Sequence, residues 1–195
     1  NLFLAMTMCF TVFGDIFVKR NGAGATVKGF SVDFRGNLSQ KIQLESGFTV
    51  QRSLYDQPIR YSSSLPERKE FLRTPDQYGY ATLSYSASER FNFSANLLHT
   101  GKMSLMHLQG AIGQLEDEFL ISPVFNTIGL KLSYVQEVKG VGVELEWSVG
   151  VKNLTNDYQK EFDSFKARDS NFIYGPSLPR TIYFGFVLRS IGSLN

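Results

Sequence analysis

The sequence predicts an all-β fold, an antiparallel transmembrane β-barrel, and three observations point to this class. Apolar and polar residues alternate along many segments, and because side chains repeat every two residues only in a strand, each such segment has one apolar and one polar face. Short and long connections between these segments alternate in chain order. Aromatic residues are frequent near the segment ends, as in the girdles of outer-membrane barrels. No segment shows a convincing apolar stripe with the helical period of about 3.6 residues.

Alternation delimits about eight strands. In chain order they are Leu2–Lys19, Val27–Gly36, Lys41–Tyr55, Gln77–Ala87, Arg90–Met103, Phe125–Glu137, Val141–Asn153 and Arg180–Ser190. The first is the least regular, because its apolar residues fall on both parities. Several exceed the ~5–6 residues usual in soluble sheets and suit a tilted crossing of a bilayer.

The other strands are justified by residues of one parity that share an apolar face. These residues are Phe30, Val32 and Phe34 in the second strand, Ile42, Leu44, Phe48 and Val50 in the third, Phe91, Phe93, Ala95 and Leu97 in the fifth, Val143, Leu145, Trp147 and Val149 in the seventh, and Ile182, Phe184, Phe186 and Leu188 in the eighth. Aromatics mark the ends of several strands: Tyr55, Tyr78, Tyr80, Tyr85, Phe91, Tyr134 and Tyr183.

The connections separate a membrane barrel from a soluble sandwich. Short links lie at Gly36–Gln40, Ser86–Glu89 and Lys139-Gly140, and long links lie at Asp56–Asp76, Ser104–Val124 and Asn156–Pro179. Long loops on one rim and tight turns on the other are typical of outer-membrane barrels. The polar face does not discriminate, since its composition suits a hydrated lumen as well as a solvated exterior. The loop asymmetry and the aromatic girdles favour the membrane.

Composition excludes several function classes. The 195 residues carry 20 Lys and Arg against 18 Asp and Glu, which gives no electrostatic argument for a nucleic-acid partner. The single cysteine excludes an internal disulfide framework and a cysteine-built zinc site. The longest uncharged run, Asn1 to Gly14, is shorter than the ~20 residues of a spanning helix. No G-x-S-x-G motif or suitably placed histidine indicates an enzyme, and no cofactor is expected.

Four short motifs occur at strand–loop junctions. They are Val27–Val32, Arg73–Tyr80, Gly150–Tyr158 with its Gly-x-x-Asn-Leu core, and a final segment containing Gly175-Pro176 and Pro179-Arg180. They resemble segments of TonB-dependent outer-membrane receptors of a Bacteroidetes-like type, and they occur in the same order along the chain as in that family. Ser31 and Asp33 depart from the family's pattern, because Glu is common at these two positions. We interpret the motifs as structural junctions that do not contact cargo. Asn153 and Asn156 can form Asx-type hydrogen bonds, and Arg180 can reach carboxylates or carbonyls.

The resemblance implies a barrel of about 22 strands around a folded plug, with a short segment that binds TonB. Residues 1–195 would be about eight C-terminal strands, with the plug and the TonB-binding segment absent. It further implies the cell outer membrane of a Gram-negative bacterium and uptake of iron chelates (siderophores), haem or cobalamin. The implied partners are the TonB complex through the missing N-terminal part, outer-membrane lipid and a small nutrient ligand, with no nucleic acid.

Three alternatives stay open. The receptor could import glycans or peptides with a lipoprotein partner. The chain could instead be a complete small eight-stranded barrel, acting as an adhesin or a scaffold. A soluble β-sandwich binding module is the third.

The long loops hold the candidate ligand-binding residues. Basic and aromatic side chains suit an anionic ferric siderophore, and a lone loop histidine near methionines is a candidate haem-iron ligand. These residues are Arg60, Tyr61, Arg73, His107, Phe172 and Tyr174. A mixed-charge surface loop and a hydrogen-bonded histidine are the ordinary interpretations of the same residues. The run Glu116-Asp117-Glu118 is interpreted as solvated rather than metal-binding, so no metal site is expected, and His99 is placed at the membrane interface.

Overall fold

Residues 8–13, 16–22, 24–138, 140, 142–169 and 172–190 are described by the structure, a computed structural model. Within them every regular element is a β-strand, and no helix is long and apolar enough to cross a membrane. The strands are β1 (Met8–Phe13), β2 (Ile16–Asn21), β3 (Ala25–Asn37), β4 (Ile42–Ile59), β5 (Arg68–Glu70), β6 (Gln77–Ser86), β7 (Phe91–Thr100), β8 (Ser104–His107), β9 (Glu118–Ile121), β10 (Phe125–Val138), β11 (Val143–Lys152) and β12 (Thr181–Ser190).

The main sheet is an antiparallel meander. Its strands follow the order β12-β11-β10-β7-β6-β4-β3, and the short β5 pairs with β4 as the eighth strand. Sheet neighbours therefore follow one another along the chain, apart from two insertions: β5 between β4 and β6, and the hairpin β8–β9 between β7 and β10. Among the described residues β3 and β12 do not pair, so these residues alone do not close a barrel.

Seven of the eight predicted strands are present at positions close to those expected. The first prediction, Leu2–Lys19, is wrong in its described part, which forms two strands that pair from Met8↔Asn21 to Phe13↔Ile16; residues 2–7 and 14–15 lie outside the described residues. The sequence Gly14-Asp15 between them consists of residues common in turns. The predicted turn at Lys139-Gly140 is described only in part: Gly140 has a φ of 85°, whereas residues 139 and 141 lie outside the described residues.

The two faces of the main sheet differ in polarity and in exposure. On one face the register aligns Trp147 with Phe186 and Val149 with Phe184, and both phenylalanines are 67% exposed. A water-soluble protein rarely exposes so continuous an apolar surface, whereas a lipid-facing barrel wall requires one. No second sheet covers this face in the described part of the chain, whereas a β-sandwich packs two sheets face to face.

The opposite face is polar and internally paired. Glu146 is 9% exposed, and its carboxylate accepts from Lys131 Nζ at 3.2 Å and from Arg189 Nη2 at 2.6 Å. Gly150 on this face lies opposite Tyr183, whose ring would be 2.5 Å from an added Cβ. Glycine at this position of the Gly-x-x-Asn-Leu motif therefore lets the tyrosine ring lie across β11.

The buried apolar residues lie mainly in the connections rather than in the sheet. Apart from Ala25, those less than 9% exposed lie in or next to the long loops: Met103, Leu105, Ala111, Phe125 and Phe172. The main sheet, which forms the wall, therefore has few buried apolar residues of its own, whereas the long loops share an apolar core.

Candidate functional site

Three long connections meet on one rim of the meander. The first rim loop is 60–76, the second is 101–124 and the third is 153–180. Because consecutive strands are antiparallel, connections that alternate along the chain emerge on the same side. The short links 38–41, 87–90 and 139–142 lie on the other side, which confirms the predicted alternation of loop lengths. The candidate ligand-binding residues all lie in the rim loops.

The first and second rim loops are joined by backbone and side-chain contacts. The Arg73 backbone N–H donates to the Ser104 carbonyl at 2.8 Å, next to a bridge between Leu72 and Ser104. The Arg68 guanidinium lies 4.0 Å from the ring centroid of Phe119, a cation–π geometry.

Asp117 links the same two loops. Its carboxylate accepts from the Gln109 backbone N–H at 2.8 Å and from the hydroxyls of Ser62 and Ser64. These hydrogen bonds, that of Gln109 foremost, lower the pKa of Asp117 below its usual range. The middle residue of the acidic run thus holds loops together. In the described residues no three His, Cys, Asp or Glu side chains converge on a possible metal position.

The second and third rim loops meet at a buried contact between a histidine and a carboxylate. His107 Nε2 lies 2.9 Å from Asp163 Oδ2, and the two side chains are 9% and 10% exposed. The imidazole stacks on Phe172 with a centroid distance of 3.8 Å and an interplanar angle of 7°. The Asp169 carboxylate accepts from the Leu108 backbone N–H at 3.0 Å. Histidine and phenylalanine act here as cross-loop contacts.

The carboxylate of Asp163 gives this contact a pH dependence. Burial acts to raise the pKa of Asp163, but the Asp169 backbone N–H and His107 together lower it below the ordinary 3.8. A pKa lowered by folding means that stability is present above the ordinary value and is lost as pH falls through the lowered value. We expect hydrogen exchange in 101–124 and 153–169, corrected for intrinsic rates, to stay slow near neutral pH and to accelerate below pH 3.8.

The matched variant for this prediction is Asp163→Asn, which keeps the shape and removes the titration. Its exchange should be faster at neutral pH, since a buried hydrogen bond to a charged group contributes about 1.5–3 kcal/mol, and should not change further on acidification. Identical acid profiles for the two proteins would show that another group controls the loops.

A buried amide orders the third rim loop. Gln159 is 1% exposed. Its Oε1 accepts from the backbone N–H groups of Tyr174 and Gly175 at 2.9 and 3.1 Å, and its Nε2 donates to the carbonyls of Phe172 and Glu161 at 3.0 and 2.7 Å. These four hydrogen bonds use both N–H donors and both oxygen lone pairs of the amide group. One side chain thus fixes the backbone around Tyr174.

The third loop begins at an asparagine in a left-handed conformation. Asn153 has a φ of 51°, its Oδ1 accepts from the Asp157 backbone N–H at 3.1 Å, and its Nδ2 donates to the Leu178 carbonyl at 2.9 Å. The expected side-chain bond of Asn153 to the loop backbone is present, although it reaches four residues along the chain rather than the two residues of an Asx turn. Arg180, for which carboxylate or carbonyl partners were expected, donates from Nε to the Leu154 carbonyl at 2.9 Å.

The six predicted ligand-binding residues fall into two groups. Arg60, Tyr61 and Arg73 lie on the first loop: Arg60 is paired with Glu67 at 3.0 Å, Tyr61 donates to the Glu70 carbonyl at 3.2 Å, and Arg73 is exposed.

The second group is His107, Phe172 and Tyr174, where the second and third loops meet. The Tyr174 ring lies 5.2 Å from that of Phe172 and is half-buried. Because His107 and Phe172 are buried against each other, direct ligand contact by either would require the two loops to separate. Ligand binding by all six residues stays a prediction.

Sequence reasoning missed Gln159 and Asp163, which lie in a loop of mixed charge and follow no pattern that marks them. His99, which was expected at the membrane interface, lies near the end of β7 on the parity of the apolar face. Its Nδ1 is 2.7 Å from Asn126 Oδ1 and its ring is 6.1 Å from that of Phe48.

Comparison with known proteins gives matches in structure only. The sequence matches no protein-family model and no curated protein. The ferripyoverdine receptor of the outer membrane of Pseudomonas aeruginosa matches with a TM-score of 0.61 and 16% identity over 87% of this chain and 20% of its own. The ferric-catecholate import receptor Fiu from Escherichia coli K12 matches with 0.58 and 19% identity over 90% and 22%. The siderophore receptor PiuA from Acinetobacter baumannii matches with 0.57 and 14% over 87% and 22%.

The chain therefore spans about a fifth of the length of these proteins, between 20% and 22%. These three proteins are receptors. At these identities the likeness concerns the fold, and it confirms the predicted antiparallel outer-membrane barrel strands and the family resemblance at that level. The chain has the fold of a section of an outer-membrane siderophore-receptor barrel.

Proposed function

We propose that this chain is the C-terminal part of the β-barrel of a TonB-dependent receptor that imports ferric chelates of the siderophore type across the outer membrane of a Gram-negative bacterium. The observation that carries the proposal is the rim-loop assembly, in which three long loops pack into one ordered surface above a wall whose outer face is apolar. Such a wall suits outer-membrane lipid, and such a surface suits capture of a small nutrient from outside.

The charge and aromatic content of the assembly fit an anionic chelate. Arg60 and Arg73 supply exposed cations and Tyr61 supplies a phenol on the first loop, whereas Tyr174 lies on the third. Burial, and then the charge of Glu161, raise the pKa of Tyr174, so its phenol stays neutral and can donate a hydrogen bond at physiological pH. In this proposal His107 and Phe172 hold the second and third loops in position for the ligand.

The same contacts favour an iron chelate over haem. The His107 ring is 7% exposed and stacks on Phe172, so haem iron could reach it only if the second and third loops separated. Energy for import would come from the TonB complex through a plug and a TonB-binding segment that belong to the N-terminal part of the receptor. The described residues supply wall and rim.

Deletion of the complete receptor gene tests the proposal. The deletion strain should fail to grow under iron limitation on one or more ferric siderophores, and the complete gene on a plasmid should restore growth only when TonB is functional. Haem, cobalamin, a glycan panel and a peptide panel serve as parallel nutrients. Loss of growth on one of these with unchanged growth on every ferric siderophore would contradict siderophore import and identify the other cargo.

A further inference from the structure

A small cavity lies between the first and second rim loops. Its lining combines one cation, two phenols and two apolar side chains: Arg73, Tyr55, Tyr61, Leu72 and Met106. It spans the junction at which the Arg73 backbone N–H donates to the Ser104 carbonyl. The cavity walls are therefore held by the contact that joins the two loops.

The cation in this cavity is available to a ligand. Arg60 of the same loop is paired with Glu67 at 3.0 Å, whereas the Arg73 guanidinium has no ion-pair partner among the described residues. No carboxylate lines the cavity. An unpaired guanidinium favours a planar anionic partner, because its fixed N–H donors match two oxygens at once.

The phenols add uncharged ring surface. The Tyr55 ring packs on Phe71 with centroids 4.3 Å apart, which fixes its orientation. Burial foremost, with smaller effects of Tyr55 and Glu70, raises the pKa of Tyr61 above its ordinary value, so the phenol carries no negative charge that would repel an anion. Leu72 and Met106 supply apolar surface for the flat face of a ring.

The neighbouring cavity shows that this charge pattern is not general along the rim. That cavity has a volume of about 410 Å³, and its charged lining residues are Arg52, Glu70 and Asp76. Two carboxylates oppose one arginine there, so an anion gains no net attraction.

Size limits the ligand group further. The cavity between the loops measures about 260 Å³, below the ~300–1,000 Å³ of pockets that enclose a whole drug-sized ligand. It can take one substituted ring, and the rest of a larger ligand must stay outside.

We propose that the cavity binds one aromatic ring bearing anionic oxygens, of the catecholate or aryl-carboxylate class, as a single arm of a larger ferric chelate. Arg73 contacts the oxygens, and Leu72 and Met106 contact the ring. This inference rests on the proposed function and narrows it to chelates with aromatic anionic arms, as opposed to hydroxamates.

The test measures binding of a ferric catecholate chelate and a ferric hydroxamate chelate to the complete receptor in detergent. Arg73→Gln should weaken binding of the catecholate about 10- to 100-fold, the range expected for one charged hydrogen-bonding group, and should change hydroxamate binding less than about twofold. Arg73→Lys, which keeps the charge without the planar fork, should fall in between. Arg90→Gln is the matched control, an exposed arginine in the short link 87–90 on the other side of the sheet, and it should leave both affinities within about twofold.

The outcomes distinguish failure of this inference from failure of the proposed function. Unchanged catecholate binding in Arg73→Gln, equal weakening of both chelates, or a wild-type receptor that binds only the hydroxamate would overturn the inference and leave siderophore import standing. A wild-type receptor that binds neither chelate, from a strain whose growth on all ferric siderophores is unaffected by deletion, would overturn both. Surface expression and heat-modifiable migration of each variant check that it is folded.

Discussion

Replacement of Phe186 by arginine is expected to destabilise the receptor by about 2–4 kcal/mol, the cost of an arginine on the lipid face near the bilayer midplane. Phe186 lies in the middle of β12, is 67% exposed, and aligns with Trp147 across the strand pair. Its ring is 6.2 Å from that of Trp147. The substitution removes an aromatic group from lipid and places a charge there.

The next residue along the strand provides the control. Val187 faces the other way and lies opposite Glu146, so an arginine there joins the polar network that Glu146 forms with Lys131 and Arg189. Val187→Arg should cost less than about 1 kcal/mol, within the range of solvent-exposed ion pairs. Denaturant unfolding of the complete receptor in lipid vesicles measures both. Equal losses for the two variants would show that the faces of β12 have been assigned the wrong way round.

Replacement of Asn153 by alanine is expected to release the third rim loop and to cost about 3–5 kcal/mol, from lost buried hydrogen bonds together with left-handed strain. The amide accepts from the Asp157 backbone N–H and the Thr155 hydroxyl, and donates to the carbonyls of Asp157 and Leu178. Alanine leaves these groups without a side-chain partner and retains the φ of 51°.

Two further variants separate these causes. Asn153→Gly loses the hydrogen bonds but tolerates the left-handed backbone, so it should recover about 1 kcal/mol of the alanine loss. Asn156 has a similar φ of 56°, but its side chain is exposed and accepts one hydrogen bond, from the Arg180 backbone N–H. Asn156→Ala should therefore cost about half as much as Asn153→Ala, or less. Hydrogen exchange and limited proteolysis of 153–169 and 172–180 give the readout. Protection of the third rim loop from exchange and proteolysis in Asn153→Ala at the wild-type level would show that Asn153 does not anchor the loop.

The sheet strands could be predicted because lipid and lumen impose opposite demands on adjacent residues. In β12, Ile182, Phe184 and Phe186 alternate with Tyr183 and Gly185, so residues on one face suit lipid and residues on the other face suit the lumen. The N-terminal region lacks this alternation, because its apolar residues occupy both parities. The single strand that was predicted there is two strands paired with each other.

The rim loops could not be predicted to the same depth, because their order comes from contacts distant in sequence. His107 and Asp163 are 56 residues apart, and the contacts of Gln159 are mainly with backbone groups that any residue provides. The sequence indicated aromatic and basic side chains in these loops, but not that β8 and β9 would form a hairpin there or that two of the candidates would be buried. Asn153 was the exception, because its junction motif carries a local hydrogen-bonding mechanism.

The apolar core lies in the rim loops and not in the wall, so the two parts of the chain are suited to different surroundings. The wall depends on the bilayer for its hydrophobic contacts, whereas the rim assembly around Leu105, Phe125 and Phe172 is packed like a small water-soluble domain. The two parts should therefore tolerate different mutations: the wall accepts changes of volume but not of charge on its outer face, and the rim accepts surface charge but not cavities. A ligand that reaches such a rim meets loops that are already ordered, so little of its binding free energy is consumed in arranging them. If the proposed function holds, discrimination between ligands depends on the fixed shape and charge of the rim, and substitutions at a few exposed rim positions would change the cargo while the wall stays the same.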